Sequence, residues 1–471
     1  MSEAKSKFSL NTKNMLIILL AAMVIVISFL IPENQIMSQL EMRTVGLMIS
    51  FLIIFLTDAL PTVIASLFYS ALIPLLGITK VLPNAFSGFT QPIVFFIIIS
   101  FAVAMAITRV PIAKRILRLL LVKFGKNVDM VLLAVMISTF LISTFVSDIP
   151  TTILFLSISL SFLELIDNEE KKRSVGKAFT IGVPLSAIFG GIATPSGSAL
   201  TLIGIAQLEK LTGSGIPYLE WMFIAAPYAI LAELLGWWLI VKIYKPTPIS
   251  KDEIKSMVDS IHVPKKFTNN EIKVIIIISL MFVFWVASTW ISEINIILVT
   301  LVGGSLFFFP GINVVDVESY LKEVSWKVVF VVATMFSISN LLMENGLPAT
   351  ISKVIPTLDF NIILVVAFLF LLSYILLVIM PNSLALLPIL ALAIASMAEK
   401  TGISAKFLIV AIILALTQTY FFPFDAMFAI SYGKGYFSAK ELPKSALILM
   451  AFSLVFLSLW MPFACKLLGW L

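Results

Sequence analysis

The chain has 471 residues, of which 60% are hydrophobic and 12% charged, and its formal net charge is +6. Soluble domains are about 45–50% apolar and about 25% charged, so this composition excludes a soluble globular protein and indicates a polytopic membrane protein. The basic residues lie in short loops between apolar runs, which argues against a nucleic-acid partner.

The first stretch, residues 1–40, is predicted to hold an N-terminal membrane helix. Lys5, Lys7 and Lys13 precede the apolar run Met15–Ile31, and no small-residue cleavage site follows it. Basic residues next to a span tend to stay inside the cell. The sequence therefore predicts a multi-pass protein of the cell (inner) membrane with a cytoplasmic N-terminus.

A polar linker divides the rest of the chain near its middle. We expect a first transporter repeat over residues 41–245, a cytoplasmic linker over 246–272 and a second repeat over 273–471. The basic stretches Arg109–Lys126 and Lys171–Lys177 are predicted to lie on the same cytoplasmic side as the linker.

Between these two basic stretches lie two short apolar arms, Met130–Ser147 and Thr151–Leu165. Because both arms return to one side, they predict a re-entrant hairpin with its tip at 147–150. The tip places Asp148 beside Pro150. A charged side chain at membrane depth costs at least about 2.5–3.5 kcal/mol on insertion scales, so it marks a pathway or a binding site.

The second half repeats this pattern at an offset of about 231–235 positions, which indicates an internal duplication. Ser147-Asp148 corresponds to Pro381-Asn382, and the second tip is predicted at 381–383. The segment Gly190–Thr201 corresponds to Phe421–Gly435. The flanks of the second hairpin carry few basic residues, so it is predicted to enter from the opposite face. The two repeats would then be inverted.

Oxygen atoms at the first tip are candidates for a cation site. Ser143 and Ser147 are spaced as one helical turn, with Asp148 adjacent and Gly197 allowing backbone carbonyls to approach. Hydroxyl, carboxylate and carbonyl oxygens suit a hard cation. These four residues are the predicted Na⁺ ligands, and Asn382 is the matching cation ligand of the second half.

The segment "TPSGS" is predicted to break the helix that follows the first hairpin, since it combines proline and glycine. Freed N–H groups at half-helix ends suit an anion, and Ser198 is placed to donate to a carboxylate. The candidate substrate-binding residues are Asp148, Thr194, Pro195, Ser198, Asn382, Ser383 and Asp425.

At these residues the chain resembles the divalent anion:sodium symporter family, which carries dicarboxylates, citrate and sulfate. "GGIATPSGS" (Gly190–Ser198) is the most specific match, and "SYGKGYFS" (Ser431–Ser438) resembles the segment after the second broken helix. The resemblance covers nearly the whole chain. It implies an all-α fold of two inverted repeats with re-entrant hairpins and broken helices, an elevator-type mechanism and a homodimer.

The chain departs from the family at the tips. The family has Ser-Asn-Thr at each, whereas this chain has Ser147-Asp148-Ile149 and Pro381-Asn382-Ser383. Ala199-Leu200-Thr201 replaces the expected Pro-Pro-Asn, Asp425 falls about where the family has threonine, and Phe428 about where it has asparagine. Added carboxylates repel an anion unless cations or protons neutralise them, so Na⁺ and H⁺ coupling both stay open.

The predicted function is secondary active transport of a small divalent organic anion, such as succinate, malate or fumarate, coupled to Na⁺ or H⁺. The alternatives are a sodium-independent dicarboxylate exchanger and a sulfate-type anion carrier. No cofactor is expected besides the coupling ion, and the expected partners are the substrate, the cation, the bilayer and a second copy.

A channel would need a continuous polar pore, whereas the polar residues of this chain cluster at two tips with apolar stretches between them, so a carrier is favoured over a channel. No enzyme is predicted, because the chain has one histidine and one cysteine and lacks the motifs of an aspartyl protease using Asp148 and Asp425.

Overall fold

The computed structural model describes most of the chain, and every regular element in the described part is helical. Eight of the described helices are long and apolar enough to cross a membrane by length and composition. The prediction of an all-α polytopic membrane protein is confirmed. The described residues are 12–34, 37–291, 293–347, 350, 361–379, 383–423 and 425–471.

The described helices of the first half, in chain order, are α1 (Thr12–Leu30), α2 (Gln39–Thr57), α3 (Thr62–Leu75), α4 (Leu82–Ala85), α5 (Pro92–Arg109), α6 (Ile112–Phe124), α7 (Val128–Ser143), α8 (Asp148–Leu163), α9 (Glu169–Ala193), α10 (Ala199–Thr212) and α11 (Tyr218–Tyr244). Those that follow are α12 (Lys251–Ser260), α13 (Asn269–Ala287), α14 (Ile296–Leu306), α15 (Val317–Glu323), α16 (Trp326–Glu344), α17 (Ile362–Ile379), α18 (Ser383–Thr401), α19 (Ala405–Leu416), α20 (Ala426–Tyr432) and α21 (Leu442–Leu467).

One compact unit combines the described residues within 1–94, 325–358 and 388–401. In it α16 packs against α2 and α3, and α1 packs along α2. Gly88 fits here because it has no side chain: a Cβ atom would collide with the backbone of α16, and its N–H donates to Ser337 Oγ at 2.9 Å. Lys327 also forms an ion pair with Asp58 at 2.7 Å.

The other unit combines residues 95–324, 359–387 and 402–471, and it contains the candidate site. Its centre is α9, which packs against α7, α8 and α11 and is buried along most of its length. Small residues permit these close contacts. A Cβ atom at Gly190 would lie 2.8 Å from Ser143 Cβ, and one at Gly236 would lie 2.8 Å from Leu185 Cδ2.

The linker expected over 246–272 contains the short helix α12. Ser250 caps it, accepting from Glu253 N at 3.1 Å, while Ser250 N donates to Glu253 Oε2 at 2.5 Å. Lys171 Nζ lies 3.2 Å from the same carboxylate and holds α12 close to the start of α9. The division of the chain into two inverted repeats stays a prediction.

Candidate functional site

The first predicted tip is a turn between two short helices. α7 and α8 have 16 residues each, about 24 Å at 1.5 Å per residue, whereas the hydrocarbon core is about 30 Å thick. Arms of this length suit a hairpin that enters and leaves by one face. The expected one-turn spacing of Ser143 and Ser147 is wrong, because α7 ends at Ser143 and the backbone leaves the helix before Ser147.

The break in the next helix lies where the sequence predicts it. α9 ends at Ala193, and Pro195–Gly197 form a single 3₁₀ turn before α10 starts at Ala199. Thr194 and Ser198, on either side of the turn, have extended backbones with φ of −132° and −135°. The backbone N–H and C=O groups of this segment are therefore not all used within a helix.

Two buried hydrogen bonds tie the hairpin to the broken helix. Thr194 Oγ1 donates to the carbonyl oxygen of Thr144 at 2.5 Å, and Ser143 Oγ donates to the carbonyl oxygen of Ala187 at 2.7 Å. The hydroxyl proton of Ser143 is thus committed to α9.

Gly197 lies where backbone from two elements converges. A Cβ atom there would be 2.8 Å from the carbonyl oxygens of both Ser143 and Gly191. These oxygens come from the end of the hairpin helix and from α9. The missing side chain permits the close approach of carbonyl oxygens that the sequence predicts for a cation site.

Asp148 is the first residue of α8 and is half-buried. Its Oδ1 accepts from Ile149 N at 3.0 Å and from Ser147 Oγ at 3.2 Å. A negative charge is favoured at a helix N-terminus, so both the donors and the helix dipole stabilise the carboxylate. The second oxygen, Oδ2, is left available to a ligand.

Asp425 is the N-cap residue of α20, and its side chain accepts from Met427 N at 3.3 Å. Thr419 lines the same small cavity as this carboxylate. Asp148 and Asp425 lie close enough for their charges to repel, and no cationic side chain of the described residues acts on either. The structure thus brings together the two carboxylates that the sequence singled out.

The second tip is only partly described. Pro381 and Asn382 lie outside the described residues. Ser383, the first residue of α18, donates through Oγ to the carbonyl oxygen of Leu416 at 2.7 Å. Leu416 ends α19, and the helical path resumes only at α20. In both halves, therefore, a hairpin hydroxyl is bonded to a carbonyl of the broken helix.

Sequence reasoning missed the polar partners behind the broken helices. Tyr218 OH lies 2.9 Å from Ser196 Oγ, inside the 3₁₀ turn of the first half. In the second half Gln418, which is 1% exposed, accepts through Oε1 from Tyr374 OH at 2.7 Å and Tyr420 OH at 2.9 Å. The polar run "TQT" (Thr417–Thr419) between two apolar stretches was the available signal, whereas nothing in the sequence pairs Tyr218 with Ser196.

A small cavity adjoins Asp425. Tyr374, Gln418, Thr419 and Asp425 contribute its polar lining, and its volume of about 20 Å³ is room for about one water molecule. The carboxylate of Asp425 therefore has space for one water molecule on its cavity side.

Glu233 is a third acidic residue inside the helix bundle. It is 3% exposed and accepts from Ser186 Oγ through Oε1 at 2.8 Å. Its Oε2 has no hydrogen-bond partner in the described part of the chain. Glu233 thus contacts α9 itself, two turns before the break at Thr194.

The family model described as "Sodium:sulfate symporter transmembrane region" matches residues 11–471. The chain is 23% identical over 374 residues to the sodium-dependent dicarboxylate transporter SdcS of Staphylococcus saprophyticus, covering 74% of this chain and 71% of that protein. It is 25% identical to the sodium-dependent high-affinity dicarboxylate transporter 3 of Caenorhabditis elegans, covering 42% of this chain and 38% of that protein.

A match to the inorganic phosphate transporter PHO87 of Saccharomyces cerevisiae has 24% identity and covers 55% of this chain and 27% of that protein. Among solved structures, the YdaH transporter of Alcanivorax borkumensis, described as having an unusual topology, aligns with a TM-score of 0.54 at 12% identity. This alignment covers 91% of this chain and 98% of that one, and it shows a shared fold.

Proposed function

The chain belongs to the sodium:sulfate symporter family, and on that premise we propose that it transports a small dicarboxylate, such as succinate, malate or fumarate, driven by a Na⁺ gradient. It is a multi-pass secondary transporter and not an enzyme. The dicarboxylate and the coupling to Na⁺ are the proposed part. They are supported by the sodium-dependent dicarboxylate transporters among its relatives and by the oxygen atoms around the first tip.

The observation that carries the proposal is the convergence of oxygen atoms at Gly197. The carbonyl oxygens of Ser143 and Gly191 lie 2.8 Å from where a Cβ atom of residue 197 would stand, and the Ser147 hydroxyl and Asp148 carboxylate lie at the start of the next helix. Hard cations take such oxygen ligands. We assign the Na⁺ ligands to Ser143, Ser147, Asp148 and the backbone at Gly197, with Asn382 as the cation ligand of the second half.

The substrate would lie between the two tips. Ser198 is buried at the N-cap of α10 and its hydroxyl bonds to no described residue, so it is free to donate to a substrate carboxylate. Thr194 and Pro195 belong to the turn that precedes Ser198. Ser383 and Asp425 would line the substrate site on the side of the second half. Bound cations or protons must neutralise Asp148 and Asp425, which would otherwise repel a dianion.

The test is uptake of labelled succinate by proteoliposomes under a Na⁺ gradient, a proton gradient, or neither. We expect Na⁺-driven uptake that falls about tenfold or more in Asp148→Asn, because a charged ligand of the cation is lost. Asp129→Asn is the matched control, since Asp129 begins the same hairpin at the opposite end of α7 and should leave uptake unchanged.

Other outcomes assign the function differently. Proton-driven uptake lost in Asp148→Asn would overturn Na⁺ coupling and make Asp148 the proton carrier. Uptake only against preloaded dicarboxylate would indicate an exchanger. Transport of sulfate or phosphate without succinate would overturn the dicarboxylate, and this second candidate is favoured by the family description and by the phosphate transporter relative.

The inverted repeats, the elevator motion, the homodimer and the cytoplasmic N-terminus belong to the same proposal. The motion and the dimer are supported by the family resemblance alone. Light scattering of the purified protein in detergent tests the dimer, and the mass of a single chain would contradict it. Accessibility of a cysteine introduced near Lys13 tests the orientation of the N-terminus.

A further inference from the structure

A cleft lies at the surface where three long helices end. The first turns of α9, the end of α11 and the start of α21 meet there, and the turn after α20 closes one side. The cleft has a volume of about 440 Å³ and is lined by Arg173, Lys177, Tyr436 and Glu441 among others. Because α9, α11 and α21 are long enough to cross the bilayer, their ends place the cleft at the level of lipid headgroups.

The charges in the cleft do not cancel. Lys177 Nζ pairs with Glu441 Oε1 at 2.5 Å, and Ser438 N donates to Glu441 Oε2 at 2.8 Å, so that carboxylate is fully engaged. Arg173 is exposed and makes no hydrogen bond or ion pair with any residue that the structure describes. The guanidinium is thus an unused planar donor on the wall of a cavity.

One wall of the cleft is held rigidly. The ring of Tyr436 packs on Gly176, where a Cβ atom would lie 2.5 Å from Cε1 of the ring. Tyr244 OH donates to the carbonyl oxygen of Glu441 at 2.9 Å, which fixes the end of α11 against the start of α21. Further basic residues stand on the segments that end at this surface, namely Lys242, Lys245, Lys434 and Lys440.

We propose that this cleft binds a phosphate group, supplied by the headgroup of an anionic lipid, through the guanidinium of Arg173 and the free N–H donors of Lys177. Arginine matches phosphate with parallel hydrogen bonds, and lysine adds a point charge. Basic pockets between membrane helices are recognised sites for anionic headgroups. The site is separate from the tips and does not depend on which substrate the protein carries.

The experiment measures thermal unfolding of the purified full chain in nanodiscs. The discs contain phosphatidylcholine alone or with phosphatidylglycerol, and inorganic phosphate is titrated into the first set. A ligand that binds the folded state raises Tm. Arg173→Gln tests the site, and Lys172→Gln is the matched control, because Lys172 is the adjacent basic residue, pairs with Glu169 at 3.5 Å and does not line the cleft.

We expect phosphatidylglycerol to raise the Tm of the unmodified protein and of Lys172→Gln, and to bind Arg173→Gln about tenfold more weakly. Arg173→Lys should recover part of the response. Equal Tm values in phosphatidylcholine show that Arg173→Gln has folded.

A response to inorganic phosphate that Arg173→Gln alone loses supports the phosphate site but makes a soluble phosphate its source. An equal phosphatidylglycerol response in Arg173→Gln and Lys172→Gln, or none in the unmodified protein, overturns the proposal.

Discussion

Thr194 donates its hydroxyl to the carbonyl oxygen of Thr144 across 2.5 Å, joining the unwound segment after α9 to the hairpin turn. The bond is buried. Removing the donor leaves a buried carbonyl without a partner, at a cost of about 1–3 kcal/mol. The hairpin and the broken helix are therefore coupled mechanically at the point where substrate and cation are proposed to bind.

Thr194→Val keeps the shape of the side chain and deletes the hydroxyl. We expect a loss of about 1–3 kcal/mol in the free energy of unfolding and a lower rate of uptake, measured by thermal unfolding in detergent and in proteoliposomes. Thr139→Val is the control, because Thr139 is equally buried but bonds only to Val135 within its own helix. Similar losses in both variants would contradict the coupling.

Gly197→Ala should disrupt the site itself. Its Cβ atom would stand 2.8 Å from two carbonyl oxygens, so the hairpin and α9 would have to separate. We expect Na⁺-dependent uptake to be lost and the free energy of unfolding to fall by about 1–3 kcal/mol, as overpacking does in cores. Gly215→Ala adds a methyl where the nearest atoms lie 3.8 Å away and should leave both quantities unchanged.

Glu233 should tolerate loss of its charge. It is buried, has only the Ser186 hydroxyl as a partner, and no cation acts on it among the described residues. Glu233→Gln can still accept from Ser186, so we expect its unfolding free energy within about 0.5 kcal/mol of the unmodified protein. Ser186→Ala removes that donor and should cost about 1–3 kcal/mol. A larger loss in Glu233→Gln than in Ser186→Ala would mean that an ionised carboxylate is needed.

The Lys177–Glu441 pair should make stability depend on pH. Burial raises the pKa of Glu441, but hydrogen bonds from Lys177 and Ser438 and the charge of Lys177 together outweigh it, and the pKa is lowered from its usual 4.5. A lowered pKa in the folded state means that the stabilisation is present above the unfolded-state value and is lost as the pH falls through the folded-state value.

Glu441→Gln should therefore lower the free energy of unfolding by about 1 kcal/mol near neutral pH. The difference from the unmodified protein should shrink as the pH falls below 4.5, and thermal unfolding across that range measures it. Glu169→Gln is the control, because its partner Lys172 is 3.5 Å away and its side chain is 84% exposed. If the unfolding free energies of Glu441→Gln and the unmodified protein differ by the same amount at both ends of the pH range, the pairing is contradicted.

The sequence predicted the hairpin tip and the broken helix because both are local events. Pro195 and Gly197 fall within three residues of each other, which favours a helix break more strongly than the single prolines Pro184 and Pro227 inside α9 and α11. Asp148 is unusual in any apolar run. The same reasoning failed for Ser143 and Ser147, since helical spacing was assumed across residues that form the turn. Local propensity does not reveal where one helix ends and a second begins within a few residues.

Contacts between distant parts of the chain were beyond sequence reasoning. The bonds from Tyr218 to Ser196 and from Tyr374 to Gln418 join side chains whose proximity depends on how the helices pack. Likewise, α16 joins the compact unit of α1–α4 although most of the chain separates them. Periodicity specifies the buried face of a helix, whereas its neighbour is decided by shape complementarity across the unit.

Asp148 and Asp425, which have no positive neighbour among the described residues, have an electrical consequence. In a carrier whose site is exposed alternately to the two sides, an empty site with Asp148 and Asp425 ionised moves negative charge across the bilayer. Each elementary charge crossing the full potential is worth about 2.3 kcal/mol per 100 mV. An inside-negative voltage would then drive the empty site outward, so the resting potential itself would reset the carrier for the next turnover.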